Sequence, residues 1–467
     1  MTGPSTTKAE VQVPAATRPN DGLHANVLGP VETLAQSVSA VAPSTTPSLT
    51  IPLVFAMAGN ATWFVYLLAT LSILLVGFCV SRFARLSASP GSLYTYAASA
   101  LPPVWGELAA WGLLLAYIAT GASVAGGALY YAGIFAERIF HTSPPASITL
   151  AATCAAAAYV AWRDVKLSAE LMLWIEAVSV TLIVLVLATL AVHFGIHLDP
   201  DQFRLKGVSI ASLGPALVLA MFSFVGFESA TTLGGEARNP LRTIPRAVIQ
   251  CALLTGAFFT LCSYAEVVGF RGQPENLASS TSPLHFLAIR AGISMLGTLV
   301  DLGAMISMFA CVLACITAAS RVLLRMGVNG LLPPPFHSIS ERHGTPWLSV
   351  LTAARLMFAL TWAMSMGGVP GSGMYDLMGS LAVFGFLTAY ALVALALPAA
   401  RRARGERSPL VTAACLATFL LMILIVIFDL QATPDRAHAR LPYLYLAYLA
   451  AGLVWYALRR RHMTLPR

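Results

Sequence analysis

Two stretches decide the fold: Phe222 to Glu236, reading FSFVGFESATTLGGE, and Ser37 to Pro52, reading SVSAVAPSTTPSLTIP. Each lies in an apolar run of membrane-spanning length, yet neither suits an unbroken helix. In the first, Gly226 and the acidic Glu228 fall at mid-membrane depth. In the second, Pro43 and Pro47 lack a backbone N–H and clash with the preceding turn, while Ser39, Ser44, Thr45 and Thr46 offer the backbone competing hydrogen bonds. The residues therefore predict interruptions near Ala42 to Thr46 and near Phe222 to Phe227. Irregular backbone at that depth is tolerated only where it is buried in protein or lines a watery cavity. Pro and Gly in a single span often produce only a kink, but two interruptions in matching places of two halves mark a central binding site.

The rest of the chain supports a membrane reading. Of 467 residues, 57% are hydrophobic and 10% charged, and the mean hydropathy is +0.75. A span needs ~20 apolar residues, so about twelve spans would absorb half of the chain and leave only short loops. Spans are expected near 28–58, 61–81, 104–136, 146–162 and 168–195. A second set of five is expected near 209–234, 243–269, 295–324, 346–366 and 375–398, and two more near 409–429 and 441–458. The transmembrane domain then covers residues 28–458, between a disordered tail, 1–27, and a short end, 459–467. The expected class is an all-α integral membrane protein with a 5+5 repeat over 28–195 and 209–398 and two further helices.

The net charge of +8 arises from short basic clusters between apolar runs, the pattern that encodes topology rather than nucleic-acid binding. Counting Lys and Arg in alternate loops gives twenty on the side of the N-terminus and seven on the other, with Arg355 inside a span. Both termini are thus expected in the cytoplasm, in the cell membrane. The seven cysteines all lie in apolar stretches and form neither a disulfide framework nor a metal pattern. No His-Glu-x-x-His occurs, and every His lies in a loop, tail or span end, which argues against an intramembrane metalloprotease. No cofactor or metal is expected. A sensor that binds without transporting would need a cytoplasmic output surface, for which the short tails leave little room.

Phe222 to Ala247, FSFVGFESATTLGGEARNPLRTIPRA, resembles the sixth span and following loop of amino acid permeases of the amino acid, polyamine and organocation superfamily. Ser89 to Tyr96, SPGSLYTY, resembles the segment joining spans two and three, and Ser320 to Pro333, SRVLLRMGVNGLLP, the end of span eight. The resemblance implies two inverted five-helix repeats, alternating access and a substrate site between spans one and six. Many members carry a Gly-x-Gly-Ile-Phe run in span one, whereas this chain has Ala42-Pro43-Ser44-Thr45. Some proton-coupled members place a Lys in span five, whereas this span carries Glu176 and Ser179.

An amino acid is a dipolar ion, so fixed partial charges must replace its water. Free amides and hydroxyls around Ser39, Ala42, Ser44, Thr45 and Thr46 suit a carboxylate. Carbonyls of Phe222, Ser223 and Val225, left unpaired at the second break, suit an ammonium, with Gly226 permitting close approach, and the resemblance implies that Phe227 is a gate or pocket wall. A small amine without the carboxylate is the alternative cargo.

Glu228 has two readings: a proton site, since a carboxylate at the centre of a span costs ~2.5–3.5 kcal/mol, or an acceptor for unwound backbone around Ala42 to Thr45. Glu176 is a weaker form of the same case, with protons or sodium as the coupling ion. Asp301 and Glu266 are expected near outer span ends, within reach of interfacial water. Glu236, in the basic loop after span six, is expected to pair with an Arg at an inner gate, with Tyr94 and Tyr96 beside it.

Overall fold

A peptide group surrounded by hydrocarbon finds no water, so an apolar chain must satisfy its N–H and C=O groups internally. The computed structural model describes residues 22–195, 198–431 and 436–459. Among these the chain is helical, and the only β pairing is one isolated parallel bridge between Leu28 and Ala237. The first half runs α1 (Pro30–Val41), a π-helical turn (Thr46–Thr50), α2 (Ile51–Ala58), α3 (Thr62–Ala84), α4 (Ser92–Ala100), α5 (Pro103–Phe140), α6 (Ala146–Arg163) and α7 (Val165–Phe194). After the short α8 (Pro200–Phe203) come α9 (Ile210–Phe222), a 3₁₀ turn (Ser229–Leu233), α10 (Pro240–Phe270), α11 (Pro283–Arg290), α12 (Ser294–Val328), α13 (Trp347–Met366) and α14 (Gly371–Ala403). The last two are α15 (Pro409–Gln431) and α16 (Leu441–Arg459).

Nine apolar helical runs among the described residues are long enough to cross a bilayer; one of them, Pro30–Ala84, contains α1, α2 and α3. α9 is shorter because it stops at the second interruption. Proline punctuates these elements as its chemistry requires, standing in the first turn of α1, α5, α10 and α11, where a missing N–H costs nothing.

The centre is built on α5, α12 and α14. The most apolar stretch of α5 is 83% buried, against 28% for α7, α15 and α16. Burial that deep between helices needs small residues, because lipid gives no hydrophobic drive for helices to associate and close backbone packing must supply the attraction. Gly112, Gly121, Gly126 and Gly127 on α5 meet Gly371 and Gly385 on α14 and Met308 and Cys315 on α12. The outer helices show the opposite pattern, with Trp174, Val192, Leu410, Leu446 and Leu458 exposed. An apolar belt of this size marks a surface made for lipid.

The chain just before α1 is not loose. Leu23 is buried, the amides of Val27 and Leu28 donate to the Glu236 carbonyl at 3.0 and 3.2 Å, and the Arg238 amide donates to Leu28 O at 2.8 Å. The expected tail 1–27 thus includes a packed segment from Gly22 onward, recruited because the amides and carbonyls of this segment and of the Glu236 loop satisfy one another. Residues 1–21, and 460–467 of the expected C-terminal end, lie outside the described residues.

A Cβ at Gly126 would stand 2.9 Å from the Gly371 carbonyl oxygen, whereas one at Gly133 would meet nothing within 4 Å. Gly126→Val should destabilise the α5–α14 packing by ~1–3 kcal/mol, seen as a lower melting temperature of the purified protein in detergent. Gly133→Val, on the same helix, should melt close to the parent.

Candidate functional site

α1 ends at Val41 because nothing downstream can continue its ladder. Pro43 and Pro47 carry no N–H, and Ala42 turns into the left-handed region at φ 51°. The Ala42 amide closes the helix onto Val38 O and Ser39 O, and Thr45 N turns back to Ala42 O at 2.9 Å. The freed carbonyl of Ala40 accepts the Cys311 thiol at 3.2 Å. The hydroxyls of Ser44 and Thr45 are buried and have no hydrogen-bond partner. Thr46 opens the π-helical turn, and its carbonyl accepts the Ile51 amide.

The second interruption is built differently. After Phe222 the chain runs through short i→i+3 turns, with Val225 N donating to Phe222 O at 3.1 Å and Ser229 N to Gly226 O at 2.9 Å. The Phe222 carbonyl, expected to be unpaired, is therefore occupied by a turn, while those of Ser223 and Val225 accept no bond among the described residues. Gly226 sits at φ +93°, where an L side chain is strained, and a Cβ there would lie 2.9 Å from both Ala40 O and Ala40 Cβ. The two interruptions are thus in backbone contact. Two further bonds fasten them, from Ser229 Oγ to Gln36 O at 3.0 Å and from the Ala230 amide to Ser37 Oγ at 2.9 Å. Phe227 is fully buried and meets Tyr390 edge-on at 5.7 Å, while Phe222 meets Tyr375 at 5.4 Å. A crevice of about 210 Å³ reaches Phe222 between α2, α9 and α14, lined by Leu53, Val218, Tyr375, Asp376 and Val383 among others.

Glu228 accepts hydrogen bonds from Tyr117 Oη at 2.9 Å and Tyr390 Oη at 2.6 Å. The expected backbone partner around Ala42 to Thr45 is not used; the bracing falls instead to Ser37 and Ser229. The Ala42 and Thr45 amides are spent on turns and Pro43 has none, while α5 and α14 deliver two hydroxyls to the same point. Glu176 is buried and takes the Ser307 hydroxyl from α12 at 3.0 and 2.9 Å to its two oxygens. Beside it Ser39 Oγ points to Met172 O at 3.5 Å, and Ser179 Oγ donates to Gly303 O at 3.0 Å.

Glu236 does pair with an Arg, but across the bundle. Arg321 of α12 meets it through Nη2 at 2.8 Å and Nε at 3.3 Å, both side chains fully buried, whereas Arg238 of its own loop bonds Asn26 O. A buried carboxylate needs a partner that is itself shielded. Tyr94 is buried and accepts Asn329 Nδ2 at 2.6 Å; Tyr96 stacks on Phe83 at 4.8 Å. Asp301 and Glu266 do not reach the interface as expected, since both are buried. Asp301 is surrounded by Arg138, Ser282 and His285, and neither oxygen of Glu266 has a hydrogen-bond partner among the described residues.

The sequence reading missed Tyr117, Tyr390, Tyr66, Ser307 and Arg321. Their only signal was polarity inside an apolar run, since a lone Tyr or Ser in a helix does not reveal the carboxylate it meets from another one.

A helical bundle whose two interrupted segments face each other at its centre, with buried carboxylates alongside, is the architecture of a membrane transporter. The chain matches the amino acid permease family over residues 40–459, and it belongs to that family. It is 29% identical over 314 residues to an uncharacterised transporter of Mycobacterium tuberculosis, covering 66% of this chain and 68% of that one. It is 23% identical over 362 residues to the branched-chain amino acid permease BcaP of Bacillus subtilis, covering 74% of each. In fold it is similar to the manganese transporter of Eremococcus coleocola, with a TM-score of 0.59 at 11% identity, covering 93% of this chain and 95% of that one.

Because Gly226 touches Ala40 directly, Gly226→Ala should disturb both interruptions at once, and Gly226→Leu should abolish uptake into proteoliposomes while leaving insertion and oligomeric behaviour intact. Normal uptake by the Leu variant would place the site elsewhere.

Proposed function

We propose that this protein is a secondary active transporter that moves amino acids across the cell membrane by alternating access, coupled to an ion gradient or to exchange. The observation that carries the reading is the pair of unpartnered, buried hydroxyls of Ser44 and Thr45 at one interruption, together with carbonyls of Ser223 and Val225 left free at the other, the two interruptions being in contact through Ala40 and Gly226. Buried polar groups without partners are uncommon in folded proteins, and donors at one interruption with acceptors at the other suit a ligand with an anionic and a cationic end. In this reading α1 with α2, and α9 with the following turns, are spans one and six of twelve. They begin two inverted five-span repeats over 28–195 and 209–398, and both termini are cytoplasmic. Ser39, Ala42 and Thr46 complete the span-one side of the site, Phe222 and Phe227 wall the substrate side chain, and Tyr94 and Glu236 belong to the inner closure.

Pro43 favours a second reading. It supplies no amide where a carboxylate would bind, which suits an organic amine or polyamine of the same fold. Uptake by purified protein in proteoliposomes, tested with labelled amino acids and their decarboxylated amines under imposed proton or sodium gradients, separates the two. Amino acids should be accumulated and the amines should compete poorly. The reverse order would support the amine reading, and uptake of neither would sink both.

Glu228 is the residue best placed to couple a proton to this movement, because its two phenol bonds link α5 and α14 to the interrupted span, and hydrogen bonds to a charged group are worth ~1.5–3 kcal/mol each. Glu228→Gln keeps the shape but cannot titrate. The variant should still exchange internal for external substrate and should lose accumulation driven by an inward proton gradient. A parallel fall of exchange and accumulation would make Glu228 a brace only. Unchanged accumulation would shift the coupling role to Glu176, held between α7 and α12.

A further inference from the structure

Two of the buried carboxylates within the helices, Glu228 and Glu176, are held by hydroxyls. Glu266 is not. It is fully buried one turn before α10 ends at Phe270, and neither of its oxygens has a hydrogen-bond partner among the described residues. An ionised carboxylate without water, partner or counter-ion is the costliest state a side chain can hold, so this pocket accepts the uncharged acid.

The surroundings point the same way. The titratable groups that reach Glu266 are Tyr66 on α3, Tyr131 on α5 and Cys262 on α10, all ordinarily neutral near pH 7. The cations on and around α10 are occupied or distant. Arg290 of α11 bonds the Gly269 carbonyl, His285 of α11 lies against Arg138 and Asp301, and Arg271 pairs with Asp199 and Asp201. His193 of α7 is exposed, Glu32 of α1 lies at the far end of the bundle, and Arg242 and Arg246 sit at the opposite end of α10. A metal ion is a poor fit, since hard cations gather several oxygen ligands. Here the phenols are committed elsewhere, and no cluster of three or more His, Cys, Asp or Glu occurs among the described residues.

Those commitments give Glu266 its reach. The Tyr66 hydroxyl pairs with Ser223 Oγ at 3.3 Å, at the second interruption, and Tyr131 donates to Ser48 O at 3.0 Å, in the π-helical turn after the first. A charge on Glu266 would be felt at both. We propose that Glu266 is a second proton-binding site of this transporter, exchanging its proton with the Arg271 side of the membrane and acting on both interrupted segments through Tyr66 and Tyr131. The step is a simple acid dissociation: the carboxyl O–H breaks when that side opens, the proton passes to water, and it returns before the pocket closes.

This inference rests on the transport reading, so its test begins without transport. Full-length protein in vesicles is compared by infrared spectroscopy with Glu266→Gln, Glu228→Gln and Glu176→Gln. The parent should show the C=O stretch of a buried protonated carboxyl, and this band should be lost in Glu266→Gln and kept in the other two. Raising only the outside pH should diminish it in molecules whose Arg271 end faces out. A spectrum unchanged by Glu266→Gln, or a band indifferent to outside pH, overturns the proposal even if amino acids are transported. If the Gln variant fails to assemble, Glu266→Asp should retain a shifted band with the same response, and its loss would overturn the proposal equally. Where uptake is measurable, Glu266→Gln should lose the dependence of uptake on outside pH; a parent-like dependence would reduce Glu266 to a neutral filler.

Discussion

Every feature of the central region answers to one constraint: a helix that stops in hydrocarbon leaves amides and carbonyls that must find partners in protein. Two prolines impose the first stop, and the structure resolves it with few substitutes, a thiol on Ala40 O and one turn at Thr45. The second stop is satisfied by consecutive i→i+3 turns, which are geometrically possible because Gly226 adopts a positive φ. The first segment therefore retains unsatisfied hydroxyls, while the second retains unsatisfied carbonyls. The contact of Gly226 with Ala40 and the bonds of Ser229 and Ala230 to α1 make the two stops one unit. A change at either is mechanically a change at both.

That unit was largely legible in the sequence because Pro and Gly act locally. Pro43 removes an amide whatever surrounds it, and the run from Ser37 to Pro52 contains the evidence for its own break. The partners of the buried carboxylates were not legible, because they depend on which faces of distant helices meet. Glu228 stands out in the sequence as an acid within an apolar run, but the residues that satisfy it, Tyr117 and Tyr390, lie on α5 and α14. Those helices approach closely through glycines whose spacing is unremarkable in a membrane chain. Glu236 was expected to pair with an Arg that its sequence context does not single out, and the partner that shares its burial stands on α12. An exposed Arg cannot shield a buried carboxylate, so the partner had to be a buried one on another helix.

The same limit explains Glu266. A carboxylate near the end of a span ordinarily reaches interfacial water, and its sequence context gives no hint that α3 and the π-helical turn pack against its helix. Burial of an acid is a property of the packed bundle and not of its own helix.

Helix α12 measures how the ionic groups are arranged across the membrane. From Asp301 to Arg321 the helix rises about 30 Å, at ~1.5 Å per residue, which is the thickness of the hydrocarbon core. At one end Asp301 gathers Arg138, Ser282 and His285; at the other Arg321 is locked to Glu236. Both clusters are formed together in this structure, so the bundle is fastened at two levels with the interruptions between them. Removing one partner of a buried pair costs ~3–5 kcal/mol, and a tenfold ion gradient supplies only ~1.4 kcal/mol per charge moved. In the proposed cycle a single proton cannot strip either fastening unaided. Opening at one end must exchange these bonds for others, with water or substrate as the replacement partner, and the gradient needs only to bias which end opens.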